Sequence, residues 1–164
     1  MSDFSIPTET TLHAHGKLLL TGEYFVLDGA LALAAPVRYG QSLRTRRSGR
    51  PGTLEWKSYG HDGQCWFEAV FELPGLSCRH SSDEPTAQRL ETILRAAAAR
   101  RPGFGDPAVG LAVEAHLDFP RAWGLGTSST LLSLIDRGLE VDPFALVETS
   151  LGGAGYDLAC ATEP

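Results

Sequence analysis

Pro120-Arg121-Ala122-Trp123-Gly124-Leu125-Gly126-Thr127-Ser128-Ser129-Thr130-Leu131-Leu132 sets two glycines and a run of hydroxyl residues directly before an apolar, helix-compatible stretch. Glycine lets backbone N–H groups approach an anion closely. The first turn of the following helix adds unpaired donors and the positive end of its dipole, about half a charge. The stretch therefore reads as a phosphate cradle. It is not the Walker pattern, because no Lys follows the second glycine, nor the dinucleotide fingerprint, which needs a third glycine and a strand immediately before it. Taken alone, however, the loop reads first as a glycine turn capped by Thr127 or Ser128, and the cradle second.

Outward from the loop, Val109, Leu111, Val113 and Ala115 alternate with Gly110, Ala112 and Glu114, predicting a strand that runs on to Phe119 and delivers the chain to Gly124. Leu131 to Leu139 continues as the helix after the loop. Asp142-Pro143 is a second helix start, with Asp as cap and Pro in the first turn, and a short helix to about Thr149 precedes the break at Gly152-Gly153-Ala154-Gly155. Upstream, Ser82 or Asp83 caps a helix whose apolar positions Leu90, Ile93, Leu94, Ala97 and Ala98 follow three/four spacing until Pro102-Gly103. The front half reads as β. Thr10 to Ala35 is expected to form short strands broken by Gly16, Gly22 and Gly29. Further strands are expected over Gln41 to Arg46, Thr53 to Lys57 and Gln64 to Leu73.

With 164 residues and 43% hydrophobic content, the chain can bury the core of one domain. A formal charge of −6 argues against a nucleic-acid or anionic-membrane surface, which the long-range field would repel. Arg44, Arg46, Arg47 and Arg50, ahead of a Gly/Pro turn, read as the solvated end of a hairpin rather than an anion site. Met1 to Pro7 has no basic start and no apolar run of signal-peptide length, and no stretch approaches a membrane span, so a soluble, cytoplasmic protein is expected. Cys65, Cys78 and Cys160 are widely spaced without a paired motif and are expected to be reduced and partly buried. His13 and His15 would share one strand face with Glu23 to follow, but the spacing lacks further metal ligands and reads as structural.

Three ordered segments carry a resemblance. His15-Gly16-Lys17-Leu18-Leu19-Leu20-Thr21-Gly22-Glu23-Tyr24, Pro120 to Ser129, and Gly155-Tyr156-Asp157-Leu158-Ala159 resemble the motifs of the GHMP small-molecule kinases, the superfamily of galactokinase, homoserine kinase, mevalonate kinase and phosphomevalonate kinase. The third segment is similar to the Gly-Tyr-Asp-Ile-Ala motif of the mevalonate-kinase-like branch. The resemblance covers nearly the whole chain. It implies an α+β, two-layer GHMP amino-terminal domain over residues 1–164, related to a domain of a small-subunit ribosomal protein and of elongation factor G. The second, ferredoxin-like domain of the family is expected to be absent. The cleft edge it would cover makes a homodimer a further expectation.

The same resemblance implies ATP- and Mg2+-dependent phosphoryl transfer to a small anionic metabolite, with a mevalonate-pathway acid as the preferred acceptor class. The alternative is a non-catalytic GHMP fold that binds nucleotide or a partner. Carried over position by position, Asp157 would abstract or orient the acceptor hydroxyl proton. Lys17 would hold that carboxylate ionised and stabilise the transferring phosphoryl. A Lys–carboxylate pair about 4 Å apart gains about 4 kcal/mol at an effective dielectric of 20, before desolvation. Gly124, Leu125, Gly126, Thr127, Ser128 and Ser129 would wrap the phosphates. Ser128 would bind magnesium, with Glu23 or Glu148 as the acidic ligand. Read without the resemblance, Asp157 is a turn residue after a glycine run and Lys17 a solvated strand-edge charge. Trp123 stands where the family's loop has a small residue. It is expected to pack on the domain, with a place against the nucleotide as the other reading.

Overall fold

The computed structural model describes residues 9–22, 30–101, 103–141 and 160–161. Six strands form one sheet: β1 (Glu9–Thr21), β2 (Leu33–Ser48), β3 (Thr53–Tyr59), β4 (Cys65–Glu72), β5 (Ser77–Ser81) and β6 (Gly110–Leu117), in the spatial order β1-β2-β6-β3-β4-β5. All neighbours are antiparallel except β3 and β6, which run parallel. Helices α1 (Glu84–Arg100) and α2 (Thr127–Leu139) complete the described elements. The architecture is thus the α+β one expected, a sheet layer under a helix layer.

Alternation decides which sheet face is covered. Leu54 and Trp56 on β3, Phe67, Ala69 and Phe71 on β4, and Leu111, Val113 and Ala115 on β6 join Leu90, Ile93 and Leu94 of α1 and Leu134, Ile135 and Leu139 of α2 in one buried cluster. Phe67, Phe71 and Leu54 are 1% exposed or less. Burial of each is worth ~1.5–3 kcal/mol. On the opposite sheet face, Arg44 pairs with Glu9 at 2.8 Å and with Glu114 at 3.9 Å, and Arg46 with Glu114 at 3.7 Å. These arginines lie on a solvated, charge-paired surface.

Helix α1 starts where expected, with the Asp83 side chain accepting from the Thr86 N–H at 3.0 Å and Pro85 in the first turn. Several strand expectations need correcting. Gly16 does not break β1, which runs unbroken from Glu9 to Thr21, and β2 extends through 16 residues rather than Gln41 to Arg46. The turn after Ser48 closes no hairpin, because β6 is inserted between β2 and β3. Strand β6 ends at Leu117 rather than Phe119, and α2 begins at Thr127 rather than Leu131. Strand β5 was not expected at all: Ser-Cys-Arg-His-Ser has no apolar alternation, and its register comes from β4. Helix 142–149 and the glycine run at 152–155 lie outside the described residues.

Cys65 is exposed, Cys78 half-buried and Cys160 buried, all free thiols, and burial pushes the Cys78 thiol up from its ordinary range. His13 and His15 do share a face, their rings edge-on at 5.0 Å. His13 lies 3.7 Å from Asp118, and His15 Nδ1 lies 3.1 Å from the Val37 carbonyl. Among the described residues no helix is long and apolar enough to cross a membrane.

Candidate functional site

From the end of β6 the chain passes Asp118, whose carboxylate accepts the Gly40 N–H at 2.6 Å, and makes one 3-10 turn over Arg121–Trp123. Gly124 (φ 68°) and Gly126 (φ 85°) then take left-handed conformations that side chains adopt at a cost. Gly126 is itself the N-cap of α2. Neither Thr127 nor Ser128 caps the helix, which corrects that reading of the loop. The first intrahelical bond runs from the Thr130 N–H to the Gly126 carbonyl at 3.0 Å. The N–H groups of Thr127, Ser128 and Ser129 therefore precede the helical ladder and face out of the helix end. Below them, the Thr130 hydroxyl donates to the buried Gln41 side-chain oxygen at 2.8 Å, and the Ser129 hydroxyl donates to the Gly126 carbonyl at 2.9 Å. The first bond anchors the turn to β2 and the second closes the loop on itself, while Ser128 stays exposed.

Lys17 meets this loop. Its N–H donates to the Leu125 carbonyl at 2.9 Å. A Cβ placed on Gly126 would lie 3.2 Å from Lys17 Cγ, 3.3 Å from Lys17 Cε and 2.7 Å from Ser129 Oγ. A Cβ on Gly16 would lie 3.0 Å from the carbonyl oxygens of both Leu125 and Tyr39. Strand, loop and lysine stem are packed as one unit, and both glycines are required by proximity. Lys17, on the edge strand β1, is half-buried here. Asp157, Glu23 and Glu148 lie outside the described residues. Among the described residues no cluster of three His, Cys, Asp or Glu side chains is placed to hold a metal.

Two β-bulges flank the loop. In the first, His15 is opposite Gly40 and Lys17 opposite Pro36, so Gly16 alone faces Val37, Arg38 and Tyr39. The Tyr39 ring meets Trp123 edge-on at 5.5 Å, and Trp123 is 54% exposed. Trp123 is thus a surface residue, contrary to the packing expected for it. In the second, Ser58 is opposite Phe67 and Tyr59 opposite Cys65, so Trp66 has no partner across the ladder. Bulges re-aim side chains next to functional sites. Here Trp66 lines a hollow of about 160 Å3 together with Thr86, Arg89, Arg121, Thr127 and Ser128. The Arg121 guanidinium sits over the Trp66 ring, 3.7 Å from its centroid. The buried Trp66 N–H has no hydrogen-bond partner among the described residues. Trp66 and Arg121 escaped the sequence reading, because a bulge has no local periodicity to announce it. A larger hollow of about 440 Å3, bordered by Leu12, Phe104 and Leu139, opens at the other end of α2, away from the glycine loop.

This framework superposes on Lactococcus lactis galactokinase complexed with galactose with a TM-score of 0.64 at 17% identity, over 88% of this chain and 37% of that one. The fold is that of the GHMP kinase amino-terminal domain. Methanococcus jannaschii mevalonate kinase gives a TM-score of 0.63 at 12% identity, over 89% of this chain and 48% of that one. Streptococcus pneumoniae phosphomevalonate kinase, in complex with phosphomevalonate and AMPPNP, gives 0.62 at 18%, over 93% and 46%. This chain spans less than half the length of each of these GHMP kinases. No protein-family model matches it, and no curated protein matches it by sequence. At these identities the likeness is one of fold.

Proposed function

We propose that this chain carries the nucleotide-binding and phosphoryl-transfer half of a GHMP-type kinase acting on a small anionic metabolite. The observation that carries the reading is the contact of Lys17 with the glycine loop: a cation stem lies against Gly126 where the α2 donors begin. Phosphoryl transfer demands chiefly positioning and charge neutralisation, which a lysine beside a helix amino terminus supplies.

In this reading Gly124, Leu125, Gly126, Thr127, Ser128 and Ser129 hold the phosphates of ATP. The backbone fits them, since a Cβ at Gly124 would meet nothing within 4 Å on the open side of the loop. The hollow beside Thr127 and Ser128, about the space of five waters at ~30 Å3 each, takes the base against the Trp66 indole. Mg2+ suits Ser128, with Glu23 as the acidic ligand, because Mg2+ takes few protein oxygens and fills the rest of its octahedron with water and phosphate. When bound it would neutralise charge on the phosphate oxygens. The acceptor hydroxyl oxygen bonds the γ-phosphorus as the bond to the β–γ bridging oxygen breaks, and the hydroxyl proton passes to Asp157. Lys17 stabilises charge on the phosphoryl and keeps Asp157 ionised.

The test is a coupled ADP-release assay with mevalonate, phosphomevalonate and galactose, run on the wild type, Lys17→Met and Asp157→Ala. The expected result is turnover of at least one acceptor, reduced at least a hundredfold in each variant. Turnover unaffected by either substitution would remove the mechanism.

A further inference from the structure

The aromatic and cationic group on the β1–β2 side of the loop is not used by the phosphate or base contacts above. The first bulge sets three residues of β2 against Gly16 alone. Arg38, exposed at its crest, lies over the Tyr39 ring at 4.9 Å from the centroid and donates to the Tyr39 hydroxyl at 3.1 Å. Tyr39 in turn packs edge-on against Trp123, the residue directly before Gly124. A single exposed Trp is ordinary on a protein surface. This one is the last rung of a ladder that runs from a guanidinium to the start of an anion loop.

Arg38 also differs from the charge-paired arginines of the chain. Arg44, Arg50, Arg79, Arg95 and Arg101 each pair with a glutamate at 3.0 Å or less. Among the described residues, Arg38 has no carboxylate within 4.0 Å, in a chain of net charge −6. Its tyrosine partner neutralises nothing. A guanidinium held in place by a ring and a hydroxyl, with Asp118 acting on it only from beyond ion-pair distance, is pre-organised for an incoming oxyanion. Trp123, packed against the same Tyr39, offers an apolar surface to the carbon skeleton of the same molecule.

We infer that Arg38, backed by Tyr39 and Trp123, binds the anionic group of the acceptor and thereby selects a small carboxylate or phosphate over a neutral alcohol. This rests on the proposed function for the identity of the loop, and it adds the residue that reads the acceptor. Mevalonate offers a carboxylate alone, phosphomevalonate a carboxylate and a phosphate, and galactose neither. Each is titrated calorimetrically into protein saturated with AMP-PNP and Mg2+, for the wild type, Arg38→Ala and Arg38→Lys.

At least one of the two anions should bind the wild type tenfold or more tightly than galactose. Arg38→Ala should weaken that anion ten- to a hundredfold, and Arg38→Lys should recover part of the loss. Galactose binding, AMP-PNP affinity and melting temperature should stay unchanged. Binding of phosphomevalonate without mevalonate would identify phosphate as the group read. The inference is overturned if Arg38→Ala leaves the anion affinity as it was, if galactose binds as tightly as both anions, or if neither anion binds. Failure of the wild type to bind AMP-PNP would instead defeat the reading of the loop. Titrations without nucleotide would then judge Arg38 by the same criteria.

Discussion

Replacing Gly126 by Ala separates the two demands made on the loop. The residue adopts φ 85° and ψ 49°. An L side chain pays about 1–2 kcal/mol to adopt that left-handed conformation. Its Cβ would also arrive 2.7 Å from Ser129 Oγ and within 3.3 Å of two Lys17 methylene carbons, so the loop must move or the lysine stem must swing away. Overpacking of this kind costs about 1–3 kcal/mol. Gly124→Ala is the internal control, because it shares the conformation at φ 68° and meets nothing within 4 Å. Gly124→Ala should therefore lose about 1–2 kcal/mol and Gly126→Ala about 2–5 kcal/mol. At roughly 2–4 °C per kcal/mol for a chain of this size, the corresponding Tm losses are about 2–8 °C and 4–20 °C. Urea denaturation monitored by circular dichroism measures the difference. AMP-PNP titration should show the larger affinity loss in Gly126→Ala, because displaced Lys17 no longer lines the loop. Equal destabilisation and equal AMP-PNP affinity in the two variants would refute the packing argument.

Three further outcomes are expected. Thr130→Val leaves the buried Gln41 oxygen without the hydroxyl that satisfies it, and should cost about 1–3 kcal/mol by chemical denaturation without altering the sheet. Hydrogen bonding from Thr86 holds the Asp83 carboxyl below the ordinary aspartate range. The stability it confers is fully present above about pH 4 and is lost as pH falls through the lowered value. Asp83→Asn keeps a capping acceptor without the titration, so its Tm should fall less between pH 6 and pH 3 than that of the wild type; equal losses would count against the cap. Trp66→Leu should weaken adenosine and AMP-PNP binding about tenfold while leaving inorganic pyrophosphate binding unchanged, consistent with ~1–3 kcal/mol for stacking a base on an aromatic ring.

Local chemistry made some of this molecule legible before any coordinates. Asp83 and Pro85 announce the start of α1, the Val109–Ala115 alternation announces β6, and the glycines after it announce the loop. Pairing between distant segments leaves no such mark. Nothing in Ser48 to Thr53 says that β6 will be inserted between the two strands this turn connects. Glycine is unfavourable inside a strand, so Gly16 reads as a break; in the fold it stays within β1 because two carbonyl oxygens stand where its side chain would be. The ordering of Lys17 and the glycine loop was readable only as a joint pattern, and their contact emerges from the packing of β1 against the start of α2. Trp66 and Arg38 owe their positions to bulges, and Trp123 departs from the average burial of its residue type because the loop it precedes sits at the protein surface.

The central claim is that Lys17 and the 124–129 loop together bind nucleotide phosphates. Calorimetric titration of AMP-PNP with Mg2+ into the wild type and Lys17→Met, both confirmed folded, tests it most directly. The account predicts saturable one-to-one binding by the wild type and at least a tenfold loss in the variant. Equal affinities in the two proteins, or no binding by the wild type, would contradict it.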